Sequence, residues 1–173
     1  MTLPYLIMAL VTFQRLGELV IAGSNMRHLR AQGAIEIGRA HYPAMVAIHA
    51  SWLLALWLMV GGRPVNLPLL GLFLLLQAMR VWVLATLGRR WTTRIIVLPG
   101  APLVKRGPFR LLRHPNYCVV TGEIAVLPLV FGLVGVAIVF SCLNAAILWV
   151  RIRSESQALY NVDEQGIGAG QGA

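Results

Sequence analysis

A chain of 173 residues with 58% hydrophobic side chains and only 12% charged ones lacks the polar surface that a soluble domain of this size needs. Its mean hydropathy of +0.73 points to an integral membrane protein. At ~20 residues per span, the length allows one domain of about five or six spans. The net charge of +9 does not indicate nucleic acid, because the basic residues lie between apolar stretches, where they mark a cytoplasmic face.

Five apolar segments follow in chain order: residues 3–22, 43–61, 67–87, 117–131 and 134–151. The first carries Arg15 and Glu18 and lacks a basic leader region, so it reads as a retained span rather than a cleaved signal. The second and third are joined by Gly61-Gly62-Arg63-Pro64-Val65-Asn66, a tight turn. The fourth and fifth have almost no loop between them. Pro128, Gly132 and Gly135 predict a break there, and hence a helical hairpin. Charge asymmetry supports five spans. Arg27, Arg30, Arg39, Arg89, Arg90, Arg94, Lys105, Arg106, Arg110, Arg113, Arg151 and Arg153 then share one side, twelve of the fifteen Lys and Arg. Arg63 stands alone on the other, and Arg15 and Arg80 lie within spans. The positive-inside rule then predicts an external N-terminus and a cytoplasmic C-terminus in the cell's inner membrane.

Outside the spans, residues 91–115 form the longest segment combining Pro, Gly and basic side chains, which marks a functional loop. Residues 161–173 are Gly-rich and polar and are expected to form a disordered tail. Residues 1–160 read as a single domain. Cys118 and Cys142 have no CxxC or CxxH spacing and read as small buried hydrophobes, not a disulfide or a metal site.

The densest chemistry is the run Gly107-Pro108-Phe109-Arg110-Leu111-Leu112-Arg113-His114-Pro115-Asn116-Tyr117, followed downstream by Arg151 and Glu155. Pro115 suits the first turn of a helix. His114 would then precede that turn, beside free backbone N–H groups that attract a carboxylate or another anion. A basic interfacial anchor is the plainer reading of any one of these residues. Arg151 and Glu155, four apart, form either an i,i+4 ion pair or two separate ligand contacts, with Arg151 holding an anion. Arg15, Glu18, Arg80 and Glu123 fall at similar depth and suggest one polar pocket near the same face. His41 and His49 flank one end of the second span and read as hydrogen-bonding groups. No GxGxxG, GxxxxGK[ST], HExxH or GxSxG pattern occurs.

Gly107-Pro108-Phe109, Arg113-His114-Pro115-Asn116-Tyr117 and Arg151-Ile152-Arg153-Ser154-Glu155 together resemble the isoprenylcysteine carboxyl methyltransferase family, membrane enzymes that use S-adenosylmethionine. Gln14-Arg15-Leu16-Gly17-Glu18-Leu19, His41-Tyr42-Pro43 and Ile95-Ile96-Val97-Leu98-Pro99-Gly100 are similar to its bacterial YpbQ-like branch, some of whose members accompany type III polyketide synthases and methylate alkylpyrones. The resemblance spans nearly the whole chain.

The resemblance implies an all-α integral membrane protein of five transmembrane helices, with a cytoplasmic cofactor-binding loop and a C-terminal helix extension. The cofactor and catalytic part would cover about 94–160. Cofactor contacts would come from Leu103 and Val104, Phe109, His114, Pro115, Asn116, Tyr117 and Glu155. Arg151 would hold the acceptor's acidic oxygen. Phe109 stands where the family has Tyr, and Ser156 where it has a second Glu. The implied reaction is methylation of a prenylcysteine-type carboxylate or an alkylpyrone enol on a lipophilic acceptor entering from the bilayer. The alternative is a small non-enzymatic membrane scaffold or lipid-binding protein.

Overall fold

Turn residues punctuate the chain at the predicted places. In a computed structural model, the backbone is described for residues 2–102, 104–112 and 114–168, and side chains of that set from Leu3 to Ser154. Five α-helices account for most of it: α1 (Thr2–Ala31), α2 (Tyr42–Met59), α3 (Leu67–Leu87), α4 (Pro115–Val130) and α5 (Val134–Gly168). The fold is all-α. Helical segments Leu3–Ala31, Arg39–Met59, Leu67–Arg90 and Val134–Ser154 are long and apolar enough to cross a membrane.

The fourth predicted span, α4, has only 16 residues. At 1.5 Å per residue it reaches about 24 Å, short of a full hydrocarbon core. It packs between α3 and α5 and buries Val119, Glu123, Ile124, Leu127 and Val130. A helix flanked by protein need not match the lipid thickness. The hairpin break falls at Gly132, whose φ of 69° favours glycine. Pro128 lies inside the last turn of α4 and Gly135 inside the first turn of α5, so neither makes the break. α5 continues helically through 161–168, where the sequence reads as a tail without structure.

The bundle has a closed end and an open end. At the closed end, Asn66 caps α3 by accepting from Leu69 N–H at 3.1 Å. Asn66 N–H also donates to Val130 O at 2.9 Å, so the two hairpin turns lie side by side. The Tyr5 and Trp57 rings meet there, 6.1 Å apart. Met8, Trp52, Leu56, Val60, Phe73, Leu127 and Phe131 form the core. Side chains such as Leu10, Phe13, Val20, Leu54, Leu58, Leu74, Leu75 and Val139 point outward, as in a protein solvated by lipid. Cys118 and Cys142 join this exposed surface rather than the core, which corrects the expectation of burial. Between apolar helices and lipid, a small apolar side chain has no preference for the inside.

At the open end lies an element that the sequence reading lacks. Strands β1 (Ile35–Ile37) and β2 (Ile95–Val97) pair antiparallel, with Glu36 opposite Ile96. The ribbon packs against α5.

Candidate functional site

Pro115 opens α4, with His114 at its N-cap as predicted. The turn is wound by Tyr117 N–H and Cys118 N–H, which donate to His114 O at 3.1 and 3.3 Å. The same turn stacks the rings of His114 and Tyr117, 5.4 Å apart and 19° from parallel. An imidazole and a phenol are thus presented together at a helix N-terminus, where the helix dipole favours negative charge.

The preceding segment is stapled to α3. Gly107, with φ 56°, begins a 3₁₀ turn through Arg110. A Cβ there would meet Thr86 Oγ1 at 2.7 Å, so glycine allows the close approach. Pro108 is buried in the turn, and Phe109 follows it. Further back, Arg90 donates to Pro102 O at 2.7 Å. Trp91 N–H donates to Gly88 O at 3.1 Å, and Trp91 O accepts from Asn25 Nδ2 at 2.8 Å. The Trp91 ring is buried, and its indole N–H has no acceptor among the described residues.

Arg151 reaches the same region from α5. It is 5% exposed. Nη1 contacts Met45 Sδ at 3.0 Å and Nη2 donates to Thr93 O at 3.1 Å. Its guanidinium lies 5.9 Å from the Tyr117 ring centroid. Nε–H is buried with no acceptor among the described residues. An unpaired buried guanidinium N–H costs free energy unless a ligand supplies the oxygen.

These side chains surround one cavity of about 470 Å³, the size of a small-molecule site. Val104, Phe109, His114, Pro115, Asn116, Tyr117 and Arg151 all line it. The sequence-predicted residues therefore converge. Leu103 lies outside the described residues. Glu155 is in α5 one turn beyond Arg151, and its side chain lies outside them too. Much of the rest of the wall comes from Leu29, Leu87, Trp91, Thr92 and the ribbon residues Ile95, Ile96 and Val97. None of these was singled out individually by its own chemistry. The signal for most of them was the length and composition of the 91–115 loop.

Among the described lining residues, Arg90, Arg94, Lys105 and Arg151 are cationic and none is acidic. The nearby carboxylate is Glu36 on β1, which takes hydrogen bonds from Arg30, Arg39 and Arg94. Burial opposes ionisation of Glu36, but the three guanidinium donors outweigh it and hold its pKa below the ordinary carboxylate value. Arg94 is held above the usual guanidinium value, chiefly by its hydrogen bond to Glu36. Arg94 also lies 4.1 Å over the Tyr42 ring.

Arg15, Glu18, Arg80 and Glu123 do not join this cavity. Arg15 bonds Glu18 at 2.8 Å and Glu123 at 2.9 Å. Arg80 bonds Glu18 at 3.1 Å and also pairs with Glu123. Two cations and two anions close a ring among themselves, joined by Gln77 donating to Glu123 at 2.8 Å. The expected single polar pocket is instead two features, and only one of them lines the cavity. His49 turns away as well, its Nδ1 2.8 Å from Met45 O.

Residues 69–161 match the isoprenylcysteine carboxyl methyltransferase (ICMT) family. The match begins at α3 and covers the loop, α4 and the Arg151 region. YpbQ of Bacillus subtilis (strain 168), described as an uncharacterised protein, is 39% identical over 160 residues, 90% of this chain and 95% of its own length. No solved structure gives a significant match. With more than half its length matched and a relative covering nearly all of it, the chain belongs to the isoprenylcysteine carboxyl methyltransferase family, whose members are membrane methyltransferases.

Proposed function

We propose that this protein is an S-adenosylmethionine-dependent O-methyltransferase acting on an acidic oxygen of a lipophilic acceptor. The acceptor class is a prenylcysteine-type carboxylate or the enol of an alkylpyrone. The observation that carries the reading is the meeting of the His114–Tyr117 helix start with Arg151, whose buried Nε–H lacks an acceptor among the described residues.

The residues present suit the cofactor. Phe109, His114 and Tyr117 offer aromatic faces to a nucleoside base. Lys105 and the N-terminus of α4 suit an amino-acid carboxylate. Glu155, by the family resemblance, would add the anionic contact that the described lining lacks. S-adenosylmethionine, when bound, supplies an electrophilic methyl group.

The chain's own contribution is positioning. Both acceptor classes are already anions at neutral pH, so no strong general base is required. Arg151 would hold the acceptor oxygen in its ionised form and fix its direction, while the apolar walls from Leu29, Leu87 and the ribbon exclude water. The acceptor's tail would remain in lipid between helices, and the cofactor would enter from the cytosol. In this reading the protein sits in the plasma membrane with its N-terminus outside and the cavity inside.

S-adenosylhomocysteine tests this directly. Added to detergent-solubilised protein, it should raise the unfolding temperature in proportion to ligand excess. Radiolabelled methyl transfer should then be measured to an alkyl hydroxypyrone and to N-acetyl-S-farnesylcysteine. No thermal shift and no transfer to either acceptor would leave the scaffold reading.

A further inference from the structure

We propose that Tyr42, acting with Thr93, is the positioning pair for Arg151, and that it leaves Arg151 Nε–H as the contact to the acceptor oxygen. The inference rests on the proposed role of Arg151 and adds a part of the chain to it. Tyr42 opens α2, outside the 69–161 stretch matched by the family. Its hydroxyl lies 3.1 Å from Thr93 Oγ1. Thr93 O takes Arg151 Nη2 at 3.1 Å, and Met45, one turn into α2, offers Sδ to Nη1 at 3.0 Å.

Both terminal nitrogens of Arg151 are therefore tethered by groups brought up from α2 and the loop before β2. The third nitrogen is different. Nε–H is buried and has no acceptor among the described residues. Free rotation would let a long guanidinium side chain sample several directions. The two tethers remove that freedom and fix which N–H is left over. A thioether is a weak acceptor, so the Thr93 carbonyl is the stronger tether. Its own direction is set by the Tyr42 hydroxyl through the Thr93 side chain. Tyr42 is fixed in turn, since Arg94 lies over its ring and Glu36 holds Arg94.

The test uses full-length protein in detergent, with either methyl acceptor named above. Tyr42→Phe removes only the hydroxyl and keeps the ring beneath Arg94. Thr93→Val removes Oγ1 and keeps the carbonyl. Each should lower kcat/KM for the acceptor by roughly two- to ten-fold, the effect of one neutral hydrogen bond. Each should leave the KM for S-adenosylmethionine and the S-adenosylhomocysteine thermal shift unchanged. The double variant should be no worse than either single one, because both break the same link. A purely structural role would instead lower unfolding temperature and affect both substrates together. Arg151→Lys is measured alongside. If it impairs acceptor use while Tyr42→Phe and Thr93→Val behave as wild type, the positioning pair is wrong and the role of Arg151 stands. If Arg151→Lys itself has no effect on acceptor use, the reading of Arg151 falls and the pair with it.

Discussion

Asn66 N–H donates to Val130 O at 2.9 Å, tying the α2–α3 turn to the α4–α5 turn. That bond puts both short turns on one end of the bundle and every long basic segment on the other. Arg63 is the lone basic residue in the turns; Arg90, Arg94, Lys105 and Arg151 lie around the cavity at the opposite end. The positive-inside rule predicts that the cavity end faces the cytoplasm, and this can be tested. In a chain with Cys118 and Cys142 replaced by alanine, Gly62→Cys should react with an impermeant maleimide in intact cells. Arg106→Cys should react only after permeabilisation. Labelling of both from the same side would break the five-helix orientation.

The charge ring makes a second prediction. Arg80 is 5% exposed and Glu123 1%. Removing one partner strands a buried charge, which typically costs several kcal/mol. Arg80→Met leaves Arg15 facing both Glu18 and Glu123, one cation for two carboxylates. We expect a loss of about 3 kcal/mol. Arg80→Met combined with Glu123→Met leaves Arg15 and Glu18 as a neutral pair at 2.8 Å, and should cost less than the single change. Reversible unfolding in detergent distinguishes the two. A double variant weaker than Arg80→Met would show that the ring contributes more than charge balance.

Glu36 gives the ribbon a pH dependence. Its carboxyl is held below the ordinary value of 4.5 by Arg94, Arg30 and Arg39. A carboxyl with a depressed folded pKa contributes stability that is fully present above the unfolded value. That stability fades as pH falls from about 4.5 through the folded pKa. Wild type should therefore exceed Glu36→Gln in unfolding temperature at pH 6–7, and the gap should narrow as the pH falls below about 4.5. Arg39 is largely exposed and Arg30 half-exposed, so screening keeps the contribution to about 1 kcal/mol. A gap that persists unchanged at pH 3.5 would rule out ionisation as its source.

Local signals made the helices and half of the site legible in the sequence. Pro115 at a helix start, the turn at 61–66 and the glycine at 132 act through near neighbours, so their places could be read directly. The eleven-residue run from Gly107 to Tyr117 was also local, and Phe109, His114, Pro115, Asn116 and Tyr117 from it line the cavity together with Arg151. The ribbon was not legible. Three residues near 36 and three near 96 carry no period, and their pairing depends on where α1, α2 and α5 bring them. The charge ring shows a different limit. Similar depth placed Arg15, Glu18, Arg80 and Glu123 near one another, yet depth says nothing about which way a helix is rotated. Rotation decided that they meet one another and not the cavity.

Arg151 and the α4 N-terminus should fail in different ways, and that difference is the sharpest test of the site. His114 and Tyr117 stack on each other at the helix start, while Arg151 is tethered to Thr93 and lies near the Tyr117 ring. If the first pair holds the cofactor, His114→Ala and Tyr117→Ala should weaken S-adenosylhomocysteine stabilisation and raise the KM for S-adenosylmethionine. If Arg151 orients the acceptor anion, Arg151→Lys keeps the charge but loses the planar fork. It should then spare cofactor binding and reduce acceptor kcat/KM by roughly 2–4 kcal/mol of transition-state stabilisation, the range for a lost oxyanion donor. Glu155→Gln should follow the cofactor variants if Glu155 contacts the cofactor, and Arg151→Lys if the two form only an i,i+4 ion pair. Steady-state methyl transfer with both substrates varied separates the constants. Equal, mild defects in both constants for Arg151→Lys and Glu155→Gln would reduce that pair to an ion pair on α5 and remove Arg151 from the reaction.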